Sequence, residues 1–159
     1  MIVREARPAD LQRLAALEAE SYPADEAASP ATLAARIAEA PDCFLLAEDP
    51  DGALLGFVCG TRSAEPELTE ESMRRHDPAG SSLCVHSVVV APTHRRAGLG
   101  SELLARYLEH AWTLAGVERL LLIAKAHLKG FYEAAGFTCL GLSPVVHGAD
   151  PWFAFRLTR

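Results

Sequence analysis

Between residues 83 and 115 the chain runs LCVHSVVV, then APTHRRAGLG, then a stretch with apolar side chains at Leu99, Leu103, Leu104, Tyr107, Leu108, Ala111, Trp112 and Ala115. The first piece is apolar almost throughout, as expected of a strand covered on both faces. The last has the spacing of a single helix face, with Ser101, Glu102, Arg106 and Glu109 turned outward. A buried strand that passes through a tight glycine turn into a long amphipathic helix commits the chain to an α/β arrangement.

The flanking segments extend that arrangement. Residues 2–4 read as a short strand. Leu11, Leu14 and Leu17 form a helical stripe with Asp10, Gln12, Arg13 and Glu18 between them. SYPADEAASP is a loop, with Ser29 placed to cap a second helix that starts at Pro30, buries Leu33 and Ile37, and stops at Pro41. CFLLAE, the turn DPDG and LLGFVCGT form an antiparallel hairpin in which Gly56 or Gly60 marks a bulge or a close backbone approach. Residues 62–80 read as a surface loop with a short helical piece near LTEESMRRH. LLLIA is a further buried strand, LKGFYEAA a helix ended by Gly136, and FTCLGL and WFAFRL two last strands. The expected order is strand, two helices, three strands, helix, strand, helix, two strands, in one domain over residues 1–159.

Composition narrows the function classes. A formal charge of −6 excludes a general polyanion binder, which needs an extended basic face, so no nucleic-acid partner is expected. Cys43, Cys59, Cys84 and Cys139 are scattered without metal-ligand spacing and read as small apolar residues, so no metal is expected. No apolar run reaches the length of a bilayer span, and MIVREARPADL lacks the apolar core of a leader, which points to no membrane partner and to the cytoplasm.

A strand, glycine turn and helix N-terminus direct several backbone N–H groups at an anion. A nucleotide P-loop is disfavoured because Gly100 is followed by Ser101 and Glu102 rather than lysine and a hydroxyl residue. A dinucleotide fingerprint is disfavoured because Leu103 stands where a third glycine is needed. The remaining pattern, Arg95, Arg96, Ala97, Gly98, Leu99, Gly100, with GFYEAAGF at 130–137, resembles the GNAT superfamily of N-acetyltransferases. Along HSVVVAPTHRRAGLG, FYEAAGF and the SYPADEAAS and TEESMRRH loops, the chain is similar to the serotonin (arylalkylamine) N-acetyltransferase family within it.

The resemblance implies a mixed, mostly antiparallel sheet flanked by helices, and acetyl-CoA as cosubstrate. Its diphosphate would be cradled by Arg95, Arg96, Ala97, Gly98, Leu99, Gly100 and Ser101. Val88, Val89 and Val90 would pair with the pantetheine arm, and the Val88 N–H would polarise the thioester carbonyl. Ile123 would border the acceptor amine, and Tyr132 would return a proton to the CoA thiolate. His86 corresponds to the second of two histidines that the vertebrate members carry on this strand for proton removal through water. Cys84 stands in place of the first.

Read from the residues alone, His86 is either a core histidine held by a carbonyl or a base, with Val85 and Ser87 pointing away from it. Tyr132 is either a core aromatic or an acid. Tyr22, Asp25 and Glu26 form either an exposed acidic loop or a receptor for a cationic amine. Trp152 and Phe153 wall a pocket or belong to a core strand, and His147 reads as surface. The expected activity is acetyl transfer to a small primary amine, an arylalkylamine or polyamine. The alternatives are a transferase for protein N-termini or lysines and a non-catalytic acyl-CoA sensor.

Overall fold

The computed structural model describes residues 1–95 and 97–159. The elements follow the expected order: β1 (Ile2–Glu5), α1 (Leu11–Ser21), α2 (Pro30–Glu39), β2 (Phe44–Glu48), β3 (Leu54–Ser63), β4 (Ser82–Val90), α3 (Leu99–Ala111), β5 (Arg119–Ala124), α4 (Lys129–Ala134), β6 (Thr138–Leu142) and β7 (Phe153–Thr158). The strands form one sheet in the order β1-β2-β3-β4-β5-β7-β6. Only β4 and β5 run parallel, with α3 as the crossover between them.

Local chemistry explains the boundaries. The Ser29 side chain accepts the Thr32 N–H at 3.1 Å, and Pro30 opens α2 with a fixed backbone and no N–H to satisfy. Asp49 closes the β2–β3 turn by accepting from the N–H groups of Asp51 and Ala53, both at 2.9 Å. Gly136 ends α4 with φ of 104°.

Two layers of side chains bury the sheet. On one face α3 sets Leu103, Leu104 and Tyr107 against Leu83, Val85 and Leu120; on the other, α1 and α2 set Leu14, Leu17, Leu33 and Ile37 against Phe44, Phe57 and Val89. Beyond α1 and α2 that second face is covered by the β3–β4 loop, whose Leu68 is 8% exposed and packs with Cys84, Leu121 and Val145. The loop is therefore not only surface: the sheet face beneath it carries apolar side chains and no helix, so Leu68 and Met73 fill the space.

Near its start, α1 is tied to the antiparallel pair β1 and β2 by ions. Asp10 accepts two hydrogen bonds from the Arg4 guanidinium, both at 2.9 Å, one from Arg13 at 2.9 Å and one from the Arg7 N–H at 2.8 Å. Glu48 accepts from the same two arginines.

Candidate active site

The site begins where two parallel strands part. β4 pairs with β5 from Ser82–Arg119 to Val85–Leu122 and no further; β4 continues against β3, and β5 against β7. At the point of separation β3 and β4 are out of step, with Cys59 opposite Ser87 and Gly60 opposite Val85, so His86 is the extra residue of a bulge. Gly60 permits the close approach: a Cβ there would stand 2.7 Å from the Cys84 carbonyl oxygen and 2.9 Å from the Tyr107 hydroxyl.

The bulge changes which way the side chains face. Leu83 and Val85 point into the α3 core, whereas two positions beyond His86 it is Val88 that packs toward that core, while Val89 joins the α1–α2 core. Strict alternation sends Ser87 away from His86. Instead Ser87 lies with Cys59 and Glu18 on the α1 side, where His86 also reaches Thr61, because the inserted residue breaks the period of two.

His86, Ser87 and Val88 line a partly open chamber of about 60 Å³ in the gap between β4 and β5. Glu18 of α1 and Tyr22 and Glu26 of the following loop close it from one side, and Ile123, Tyr132, His147 and Trp152 from the other. His86 Nε2 is 2.7 Å from Thr61 Oγ1, and Thr61 Oγ1 is 3.3 Å from the Ser72 carbonyl oxygen. A threonine hydroxyl has one proton; given to Ser72, it makes Thr61 the acceptor of an Nε2–H and leaves the lone pair on Nδ1. That Nδ1 is buried and has no hydrogen-bond partner among the described residues. Burial, with Arg36 adding repulsion, holds the imidazole well below its ordinary pKa, so the ring is neutral at pH 7.

Two phenols stand across the chamber. Burial pushes Tyr132 well above its ordinary pKa, and its ring is locked edge-on between Phe131 and Phe137 at centroid distances of 5.0 and 5.8 Å. Tyr132 therefore stays protonated and can act only as a donor of that proton or as packing. Tyr22 is raised by burial too. The loop carrying Tyr22 is fastened to the far side of the gap, since Lys125 pairs with Glu26 at 2.8 Å and with Asp150 at 3.1 Å, and His147 Nε2 lies 2.9 Å from the Glu26 carbonyl oxygen.

The glycine turn lies at the open end of the same gap. Gly98 has φ of 79° and caps α3 with no side-chain hydrogen bond, so among the described residues the first-turn N–H groups of α3 have no side-chain capping acceptor. Ala97, Gly98 and Ser101 are exposed, while Leu99 and Gly100 are partly covered. Arg95 is drawn across the opening, its guanidinium donating to the Val90 carbonyl at 3.1 Å and to Ser21 Oγ at 3.2 Å. Arg96 lies outside the described residues. The exposed N–H groups at the α3 N-terminus suit an anionic group.

Of the residues singled out in the sequence, His86, Val88, Tyr132, Ile123, Tyr22 and Glu26 converge on the chamber, whereas Asp25 is exposed and not among its lining. His94 is exposed beside Thr93. Three further residues belong to the site or its support. His147 reads as surface in the sequence but lines the chamber, because the β6–β7 connection folds back over Glu26. Thr61 carries no motif. Glu18 was grouped with the outward polar residues of α1 yet is 2% exposed; it stands four positions after Leu14 and seven after Leu11, on the apolar stripe itself, which was the available signal. A larger groove of about 980 Å³ runs beside the chamber under the β3–β4 loop, sharing the wall formed by Leu68 and Leu122.

Among the described residues, no group of three or more His, Cys, Asp or Glu side chains is placed to hold a metal ion, and no helix is long and apolar enough to cross a membrane.

Comparison with known proteins gives a consistent picture. Residues 11–137 match the model of the Acetyltransferase (GNAT) family. Over 99 residues, 62% of this chain and 48% of the relative, the sequence is 36% identical to serotonin N-acetyltransferase of Mesocricetus auratus. The chain spans about half the length, or less, of the curated relatives it matches. GphF, a GNAT-like decarboxylase solved in complex with isobutyryl-CoA, is 25% identical and superimposes with a TM-score of 0.85 over 99% of both chains. The loading GNATL domain of CurA from Lyngbya majuscula shares the fold, with a TM-score of 0.88, 18% identity, and coverage of 99% of this chain and 96% of that one.

Proposed function

The chain belongs to the Acetyltransferase (GNAT) family, and from that premise we propose that it moves the acetyl group of acetyl-CoA to a small primary amine whose nitrogen sits in the chamber between β4 and β5. The observation that carries this reading is the make-up of the chamber: a neutral imidazole with a free ring nitrogen, a protonated phenol, and buried carboxylates, all at the divergence of two strands. Acetyl transfer to an amine needs a proton acceptor for the attacking nitrogen, a polarised thioester carbonyl and a donor for the leaving thiolate.

In this reading the diphosphate of acetyl-CoA lies on Ala97, Gly98, Leu99, Gly100 and Ser101, flanked by Arg95 and Arg96, and the pantetheine arm pairs with Val88, Val89 and Val90. The acyl-CoA substrate brings the activated thioester; the protein supplies position and proton traffic. The Val88 N–H faces the carbonyl oxygen. His86 Nδ1, directly or through a water held in the chamber, takes the proton of the amine, while Nε2–H stays fixed on Thr61. Tyr132 gives its proton to sulfur. Tyr22, Glu26 and Ile123 surround the amine, and Asp25 stands at the rim outside. The exposed Glu67 and Glu70 of the adjoining groove, where Glu71 is paired with Arg75, favour the approach of a cationic substrate. The unpaired thiols of the four cysteines suit the reducing cytoplasm.

A second reading has one specific observation behind it, the end-to-end likeness to a GNAT-like decarboxylase. An acyl-CoA decarboxylase must admit a carboxylate beside the thioester. The chamber here already holds Glu18 and Glu26, each with a buried, unpartnered oxygen, and a third carboxylate would meet like charge. The amine reading therefore stands first.

The test is release of CoA thiol from acetyl-CoA against a panel of arylalkylamines, polyamines and N-terminal and lysine peptides, together with carbon dioxide release from an acyl-CoA carrying a β-carboxylate. Turnover with small amines supports the proposal. Turnover only with peptides would make it a protein acetyltransferase. Carbon dioxide release without amine turnover would establish the second reading, and tight CoA binding with no turnover at all would leave a sensor.

A further inference from the structure

Among the described residues, three buried side-chain polar atoms lack a hydrogen-bond partner: Glu18 Oε1, Glu26 Oε1 and His86 Nδ1. All three belong to residues that line the one 60 Å³ chamber. Buried polar groups are paired in nearly all folded proteins, so three orphans gathered in one cavity mark a place where something else supplies the partners.

Their chemistry says what that is. Glu18 and Glu26 are carboxylates, and His86 Nδ1 carries a lone pair in the tautomer set by Thr61 and Ser72. Three residues with unpaired acceptors, on α1, the α1–α2 loop and β4, therefore line a common space, and the group that would pair them is a donor of several hydrogen bonds that also carries positive charge. Glu26 already has a cation on its other oxygen, Lys125 at 2.8 Å. Glu18 makes no ion pair among the described residues. Its Oε2 accepts the Ala28 N–H at 2.9 Å, while Arg36 and His147 act on it only through space. Burial pushes its carboxyl above the ordinary range, as expected of an anion without a contacting cation.

We infer that Glu18 is an amine-recognition residue, and that Glu18, Glu26 and His86 together form a socket for the three N–H groups of a primary alkylammonium. The inference rests on the amine-transferase reading and adds to it the residue and the charge state in which the substrate is captured: the amine enters as the cation and loses its proton inside, between carboxylates and imidazole. The small volume admits the head of the amine, and the rest of the molecule extends toward the Leu68 wall and the groove beyond. A structural role alone, holding Ala28 to α1, uses one oxygen of Glu18 and leaves the other unexplained.

The experiment is calorimetric titration of the full chain with ethylammonium chloride, with tetramethylammonium (charge without N–H) and ethanol (N–H and charge both absent) as controls at matched ionic strength. It is repeated on Glu18→Gln, which retains a carbonyl for Ala28 N–H but turns an NH2 donor toward the chamber, and on Glu18→Asp. Wild type is expected to prefer ethylammonium over both controls. Glu18→Gln should weaken that binding by about tenfold or more, the loss of one charge-assisted hydrogen bond, with Glu18→Asp regaining part of it. Equal ethylammonium affinity in wild type and Glu18→Gln overturns the assignment of Glu18; if small amines are still acetylated, the transferase reading survives it. If Glu18→Gln does not fold, the wild-type titrations decide: no preference for ethylammonium over tetramethylammonium overturns the socket, and if in addition no amine is acetylated, the transferase reading falls with it.

Discussion

The hydroxyl of Thr61 stands 2.7 Å from Nε2 of His86, on neighbouring strands at the point where the sheet splits. That contact occupies Nε2 and leaves Nδ1 as the free ring nitrogen, and it does so from a residue that does not itself line the chamber. Thr61→Val preserves shape and removes the hydroxyl, leaving Nε2 unpaired and the tautomer free. We expect kcat to fall by about ten- to a hundredfold, part of what a general base contributes, with the KM for acetyl-CoA unchanged. Steady-state kinetics check this; an unaltered kcat would remove Thr61 from the account. In the parent enzyme the imidazole titrates below its ordinary value of about 6.5 because burial disfavours the cation, so the acid limb of kcat should lie below that pH.

Gly60 is where the bulge is made possible. Its Cβ-bearing variant Gly60→Ala would press on the Cys84 carbonyl at 2.7 Å and on Leu83 and Tyr107 at 2.9 Å. Neither the backbone nor the buried tyrosine can yield without moving β4. We expect a loss of about 1–3 kcal/mol in urea unfolding, the usual range for an overpacked core, accompanied by a fall in kcat because His86 shifts with the strand. Unchanged stability would show that β3 and β4 have slack at this point.

Asp10 ties α1 to β1, and the Arg4 guanidinium beside it holds its carboxyl far below the usual carboxylate range. Its side chain is 8% exposed, while Arg4 and Arg13 remain partly in solvent, which screens the pairs. Asp10→Asn should therefore cost about 2 kcal/mol at pH 7. A lowered native pKa means that the unfolded chain binds a proton first as pH falls, so the advantage of wild type over the variant is complete above about pH 4 and shrinks below it. Urea unfolding of both proteins at pH 7 and pH 3 tests this; a gap that grows in acid would contradict it.

Much of this was readable in the chain. The eleven strands and helices fall in the order read from the chain, and Ser29, Pro30 and Gly136 mark ends as expected, whereas the short helical piece expected near LTEESMRRH is only a turn. The stripe from Leu99 to Ala111 is buried at Leu103, Leu104, Tyr107, Leu108 and Ala111 as its spacing requires. Gly60 announced a close approach, but not that the extra residue opposite it would be His86, because a bulge depends on the register of two strands and a sequence gives each strand alone. The same limit hid Thr61, whose value is cross-strand, and His147, whose loop folds back over Glu26 by contacts far apart in sequence. Glu18 was legible: a carboxylate on the apolar face of a helix is an exception to burial rules, and such exceptions tend to sit at sites.

The central claim is that an acyl-CoA threads the opening between β4 and β5, and a crystal structure of the protein with acetyl-CoA tests it most directly. The account predicts the diphosphate against the backbone of Gly98–Ser101, the pantetheine arm alongside Val88–Val90, and the thioester oxygen within hydrogen-bond reach of the Val88 N–H. Acetyl-CoA bound elsewhere, with the gap beside His86 empty, would contradict it.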